Sequence, residues 1–238
     1  MTTRIIQILL FVLLFSNAAN VAAQEAVNRN WEGQKIKGVR YVAYPTYNGF
    51  PFLTDTWVPG KIEFTNGESI DSLFLRYSSF KDELLYYNKA LSIQIVIDKA
   101  SINGFSFTAL DGNTRLFRKQ YYNGYMKGDH FFEVLSVGET DLLVWRRMIL
   151  TNVLQYKDES KIMKDQAYIS ANQFYFYSPE KGYTMVRLNR NALLEKFSAV
   201  DQKPVKKVLR KNRIRISDEQ SLILAWKTIE REGYRIVF

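Results

Sequence analysis

The chain of 238 residues contains no cysteine and one histidine, His130. Without thiols there is no disulfide framework, no thiolate metal site and no cysteine nucleophile. A Ser-His-Asp arrangement would have to use His130, which lies in Gly128-Asp129-His130-Phe131 and reads as a turn residue entering a strand. No Gly-x-Ser-x-Gly elbow accompanies it, and no phosphate loop or dinucleotide fingerprint occurs. Asp111-Gly112-Asn113 begins like a calcium loop, but the spaced carboxylates do not follow, and a hairpin turn explains it. No cofactor or metal is expected. Beyond the N-terminus no apolar run approaches the ~20 residues of a spanning helix. No fixed-period repeat or low-complexity linker interrupts the chain.

Aromatic residues are plentiful at 15%, including 15 Tyr and 16 Phe, and favour sheet over helical bundle. Basic residues outnumber acidic ones, 33 to 24. The N-terminus carries Arg4, then the apolar run Ile5 to Phe15, then a small-residue stretch ending Val21-Ala22-Ala23. That is the layout of a secretory signal peptide, with cleavage expected between Ala23 and Gln24. Removing residues 1–23 takes away Arg4 and no acid, leaving a net charge of +8. The expected location is the periplasm or outer-membrane periphery of a Gram-negative cell, or the medium outside it.

From about residue 39 to Leu188 the chain consists of short apolar runs divided by turn signals, the pattern of antiparallel sheet. Leu91, Ile93, Ile95 and Ile97 alternate onto one face, whereas Leu73-Phe74-Leu75, Phe131 to Leu135 and Phe174 to Tyr177 are apolar on both. Asn66-Gly67, Asp111-Gly112, Asn123-Gly124 and Glu180-Lys181-Gly182 mark chain reversals. About ten strands follow from this count. After residue 190 the pattern turns helical. Asn191 to Val200 and Pro204 to Lys211 read as short helices. Ser217 with Gln220 reads as a capping box opening a longer helix that stops at Gly233. The expected fold is α+β and mainly β: a meander-type antiparallel sheet or open barrel in 24–190, with a helical tail in 191–238 packed on it. Tyr234 to Phe238 reads as a terminal strand.

Three groups of residues bear on function. Tyr41, Tyr44, Tyr47, Phe50, Phe52 and Trp57 form an aromatic-rich segment that, exposed, offers ring faces to a protein or glycan of the envelope, and that, buried, is a loop folded over the core. Lys206, Lys207, Arg210 and Lys211 cluster on one side of a helix. They are either a solvated face or a contact for an anionic membrane surface, with nucleic acid not expected as a partner. Arg76, in an otherwise apolar strand, and Asp82, at the start of the next, are expected to form a structural ion pair. Oligomeric state is left open.

The segments Gly49-Phe50-Pro51-Phe52-Leu53, Trp57 to Ile62, Leu75-Arg76-Tyr77 and Asp82-Glu83-Leu84 resemble a recurrent pattern in uncharacterised exported β-rich proteins of Bacteroidota. The ending, a Lys-rich helix, a short basic link and a final helix, is similar too. Ser78 stands where that pattern more usually has Asn. The resemblance implies export and a β-rich fold, and it brings no established activity. The leading expectation is a non-catalytic binding or structural component of the cell envelope. Two alternatives stand beside it: a glycan-active hydrolase using two carboxylates, for which Asp55, Asp82, Glu83 and Asp141 are the acids near strand ends, and a small outer-membrane β-barrel.

Overall fold

The computed structural model describes residues 29–31, 35–109, 112–158 and 161–238. The segment expected to be a signal peptide, with Ala23 and Gln24, lies outside the described residues, as does Asp111. Twelve strands build one antiparallel sheet. They are β1 (Arg29–Trp31), β2 (Ile36–Arg40), β3 (Val58–Phe64), β4 (Ser69–Ser78), β5 (Glu83–Asn88), β6 (Ile93–Ile97), β7 (Ile102–Thr108), β8 (Thr114–Tyr122), β9 (Gly128–Ser136), β10 (Asp141–Trp145), β13 (Gln173–Ser178) and β14 (Gly182–Val186). Between β10 and β13 a separate hairpin, β11 (Met148–Asp158) and β12 (Lys161–Ser170), pairs only with itself. The expected mainly-β fold is present, with more strands than the turn count predicts.

The order β1-β2-β6-β5-β4-β3-β7-β8-β9-β10-β13-β14 joins two meanders where β7 lies beside β3. The sheet is open, with β1 and β14 at its edges. The turns fall where the sequence places them: Gly67, Gly112 and Gly182 adopt the positive φ that these reversals require. Two strand glycines serve a different end. A Cβ at Gly60 would stand 2.5 Å from the Ser106 carbonyl oxygen, and one at Gly104 would stand 2.3 Å from that of Phe117. Only glycine admits such close backbone approach, which lets β3, β7 and β8 coil tightly.

Coiling gathers the inward residues of β2 to β9 into one core: Ile62, Leu75, Tyr77, Ile95, Phe105, Phe107, Phe117 and Phe131 are all at most 1% exposed. The Phe105 and Phe117 rings stack at 4.5 Å. Along β6, Ile95 and Ile97 point inward as the alternation predicts, but Leu91 is 57% exposed. Ser92, at φ 52°, turns the chain before the strand begins and ends the register there.

Beyond β9 the sheet is buried on both faces. Leu142, Val144, Phe174, Phe176 and Val186 meet the helical tail, while Leu143, Trp145 and Tyr175 face the other way. The tail comprises α1 (Arg190–Leu194), α2 (Ala199–Lys211) and α3 (Glu219–Arg231). Leu193, Val205, Leu209, Leu222, Trp226 and Ile229 supply its apolar side, with Trp226 4.7 Å from Phe176. Helix α2 runs through Pro204, because its Ser198 cap fixes the start five residues upstream of the ring's expected entry. The capping box of α3 is Asp218 with Ser221, one residue later than the sequence reading places it. Gly233, at φ 85°, ends α3 as expected. Tyr234 to Phe238 is not a strand: it runs back over the tail, burying Ile236, with the Val237 N–H donating to the Lys196 carbonyl at 2.8 Å.

Candidate functional site

Two surfaces and two buried polar clusters hold the groups of interest. The first surface is the segment between β2 and β3. It lies over the outer face of β4 and β5, tied by backbone bonds from Leu53 N–H to the Tyr77 carbonyl (2.9 Å) and from Phe80 N–H to that of Pro51 (3.2 Å). A second tie runs to β12, where the Tyr168 N–H donates to the Asn48 carbonyl (2.8 Å) and the Asn48 N–H donates to that of Gln166 (3.1 Å). Arg76 projects outward from β4 beneath it. Its guanidinium carbon is 4.2 Å from the Phe52 ring centre and 4.6 Å from that of Phe50. Arg76 Nε and Nη2 donate to the carbonyls of Thr54 (3.1 Å) and Asp55 (2.6 Å). Burial pulls its pKa down, and nearby Tyr41 and Asp55 counter that.

The segment's rings are half-buried. Tyr41 meets Tyr44 edge-on at 5.4 Å, Tyr47 meets Tyr168 at 5.7 Å, and Trp57 tilts against Tyr87 at 5.6 Å. Tyr44 Oη donates to Glu83 Oε2 at 3.0 Å, and burial pushes its pKa upward. The structure thus brings Tyr41, Tyr44, Phe50 and Phe52 together around one strand, leaving Tyr47 and Trp57 at the two ends. All six residues are partly exposed.

The expected Arg76–Asp82 ion pair is not formed. Side chains alternate along β4, so Arg76 points outward while Tyr77 points into the core. Asp82, held at φ 57° in the turn after β4, is on the Tyr77 side. Its carboxylate accepts from Tyr77 Oη (2.6 Å) and Lys99 Nζ (2.8 Å), and it contacts His130 Nδ1 at 2.9 Å. The other ring nitrogen of His130 meets the Met126 carbonyl at 2.8 Å, which pins the β8–β9 turn. His130 is therefore a strand residue, paired with Gln120 near the start of β9 rather than in the turn before it, and its two nitrogens are both occupied. Asp82 and Glu83, adjacent in sequence, face opposite sides of the sheet.

The second polar cluster was not expected. Glu133, 5% exposed, takes both Nε and Nη2 of Arg115 at 2.7 Å and also receives Arg146 Nε. Arg146 then clamps Glu219 through Nη1 and Nη2 at 2.6 and 2.7 Å. Burial by itself lowers the Arg146 pKa, but the bonds to Glu219 and the charge of Glu133 outweigh it and the net shift is upward. This four-charge chain fastens the first turn of α3 to the sheet. Its sequence signal was Glu133 itself, a lone acid inside Phe131-Phe132-Glu133-Val134-Leu135. Of the other acids, Asp141 pairs with Arg118 at 3.0 Å and Asp55 is exposed.

On the face opposite the helices, Tyr122, Tyr175, Tyr177 and Tyr183 gather around Phe132 and Trp145. Tyr183 Oη donates to Gln120 at 2.8 Å, and Arg147 lies 4.7 Å from the Trp145 ring centre.

The remaining surface is basic. Lys203, Lys206, Lys207, Arg210 and Lys211 are exposed along α2, while Val205 and Leu209 are buried on its other side. Arg213 and Arg215 continue the exposed series beyond the helix. No protein-family model, curated protein or solved structure matches the chain.

Proposed function

We propose that the chain is a non-catalytic binding component of the bacterial cell envelope. The observation that carries this reading is the half-open aromatic cover of residues 41–57. Fully buried rings would be core, and scattered exposed rings would be unremarkable surface. Here a contiguous set of partly exposed aromatic residues packs on one another and beside Arg76, and partly exposed aromatic side chains are the kind that anchor a partner protein or glycan. The signal-like N-terminus and the resemblance to exported proteins of Bacteroidota supply the address.

The two buried carboxylates, Asp82 and Glu133, are committed to cations, which supports binding over acid–base chemistry. An open sheet with helices on one face, rather than a closed barrel with an outward apolar band, favours a peripheral protein over a spanning one.

The test is photocrosslinking in the exporting cell, with a photoreactive residue at Tyr47 or Trp57 and, as control, at the exposed Lys127. A discrete adduct from the aromatic positions alone is the expected result. Equal labelling from all three sites, or none from any, would overturn the assignment.

A further inference from the structure

The basic face of α2 lies apart from the aromatic cover and has its own chemistry. Ten basic and only two acidic residues occur between Arg187 and Arg215. At 100° per residue, Lys203, Lys206, Lys207, Arg210 and Lys211 span an arc of about 140° centred roughly opposite Val205 and Leu209. The buried pair locks α2 against the core, so the cations are presented outward in a fixed row about 12 Å long. None of these five, nor Arg213 or Arg215, forms an ion pair among the described residues. Glu232 lines a groove of about 490 Å³ together with Lys203, Lys207 and Lys211, and Asp201 lies in the first turn of the same helix.

We infer that this face docks on an anionic lipid surface, taking headgroup phosphates as its ligands. Charge complementarity names the sign of the partner, and the residue types narrow its class. Four of the five helix cations are lysines, point charges suited to a diffuse anionic layer rather than to bidentate readout. Residues 198–217 contain no aromatic side chain on which a base would stack, which disfavours single-stranded nucleic acid. Each Lys or Arg held near such a surface contributes about a fivefold gain in partitioning. Electrostatic binding of this kind needs no insertion and reverses with salt.

The experiment is co-sedimentation of the purified protein with vesicles of phosphatidylglycerol and phosphatidylcholine, against phosphatidylcholine alone. It proceeds whether or not the aromatic cover has a partner, so the two proposals fail separately. Expected is a preference for the anionic vesicles that collapses as salt rises. The variant K206Q/K207Q/R210Q/K211Q should lose partitioning by several hundredfold while keeping its thermal midpoint. Removing the same charge elsewhere, in K37Q/K81Q/K127Q/K181Q, should cost far less. Equal binding to both vesicle types, or equal losses in the two variants, would overturn the inference. So would tighter binding to a double-stranded oligonucleotide than to the vesicles at the same salt concentration.

Discussion

The two halves of the sheet solve the same problem differently. Each has an apolar inner face and a second face that must be covered. In the first half, β4 and β5 are covered by an irregular segment held through backbone bonds and the carbonyl contacts of Arg76. In the second, β10, β13 and β14 are covered by helices whose apolar stripe closes over Phe174 and Phe176. Helices satisfy most of their own backbone and bury one apolar stripe, so the lysines of α2 are left on the outer side. A segment without regular structure covers its strands with aromatic residues that stay partly exposed. The two proposals follow this division, with aromatic contact proposed over β4–β5 and electrostatic contact on α2.

Removing the helical cover should have the largest effect. Trp226→Ala opens a cavity against Phe176 and is expected to cost about 3–5 kcal/mol in urea unfolding. Glu133→Ala strips the carboxylate from the buried Arg146 and the partly buried Arg115 and should cost a similar ~3–5 kcal/mol, with strong non-additivity alongside Glu219→Ala. Asp82→Ala removes the acceptor shared by Tyr77, Lys99 and His130, and about 2–3 kcal/mol should be lost. Arg76→Ala sharpens the contrast: it should lower the global midpoint little, while increasing proteolytic cleavage within residues 41–57.

The smallest effect at neutral pH concerns tyrosine. Burial raises the pKa of Tyr77, Tyr175 and Tyr183. An acid whose pKa is raised by folding holds its proton longer in the native state. Stability is therefore constant below the ordinary phenol value of about 10 and falls above it, as the unfolded chain releases protons first. Phenolate absorbance against pH should show these groups titrating only with unfolding.

Much of the sheet was legible because its information is local. Gly67, Gly112 and Gly182 announce their turns, and Ile95 and Ile97 announce their face. What was missed depends on parity and on distance in sequence. The Arg76–Asp82 pairing failed because one residue of register puts Arg76 on the far side from Tyr77. Lys99 and His130, the partners Asp82 does have, arrive from the 3-10 turn between β6 and β7 and from β9, by a topology that spacing does not encode. The same holds for Tyr122, Tyr177 and Tyr183, which lie on three strands. In the tail, Pro204 suggested a helix start where the Ser198 cap had already set one. The aromatic segment and the basic helix were both visible as composition. Whether their groups were open or sealed was decided by packing.

The most direct test of the proposed envelope role is fractionation of the tagged protein from its native cell, with a high-salt wash of the membrane pellet before detergent. Recovery without detergent is expected, in the soluble fraction or in the salt wash. Retention through the wash until detergent dissolves the membrane would contradict it, and would make the protein an integral one.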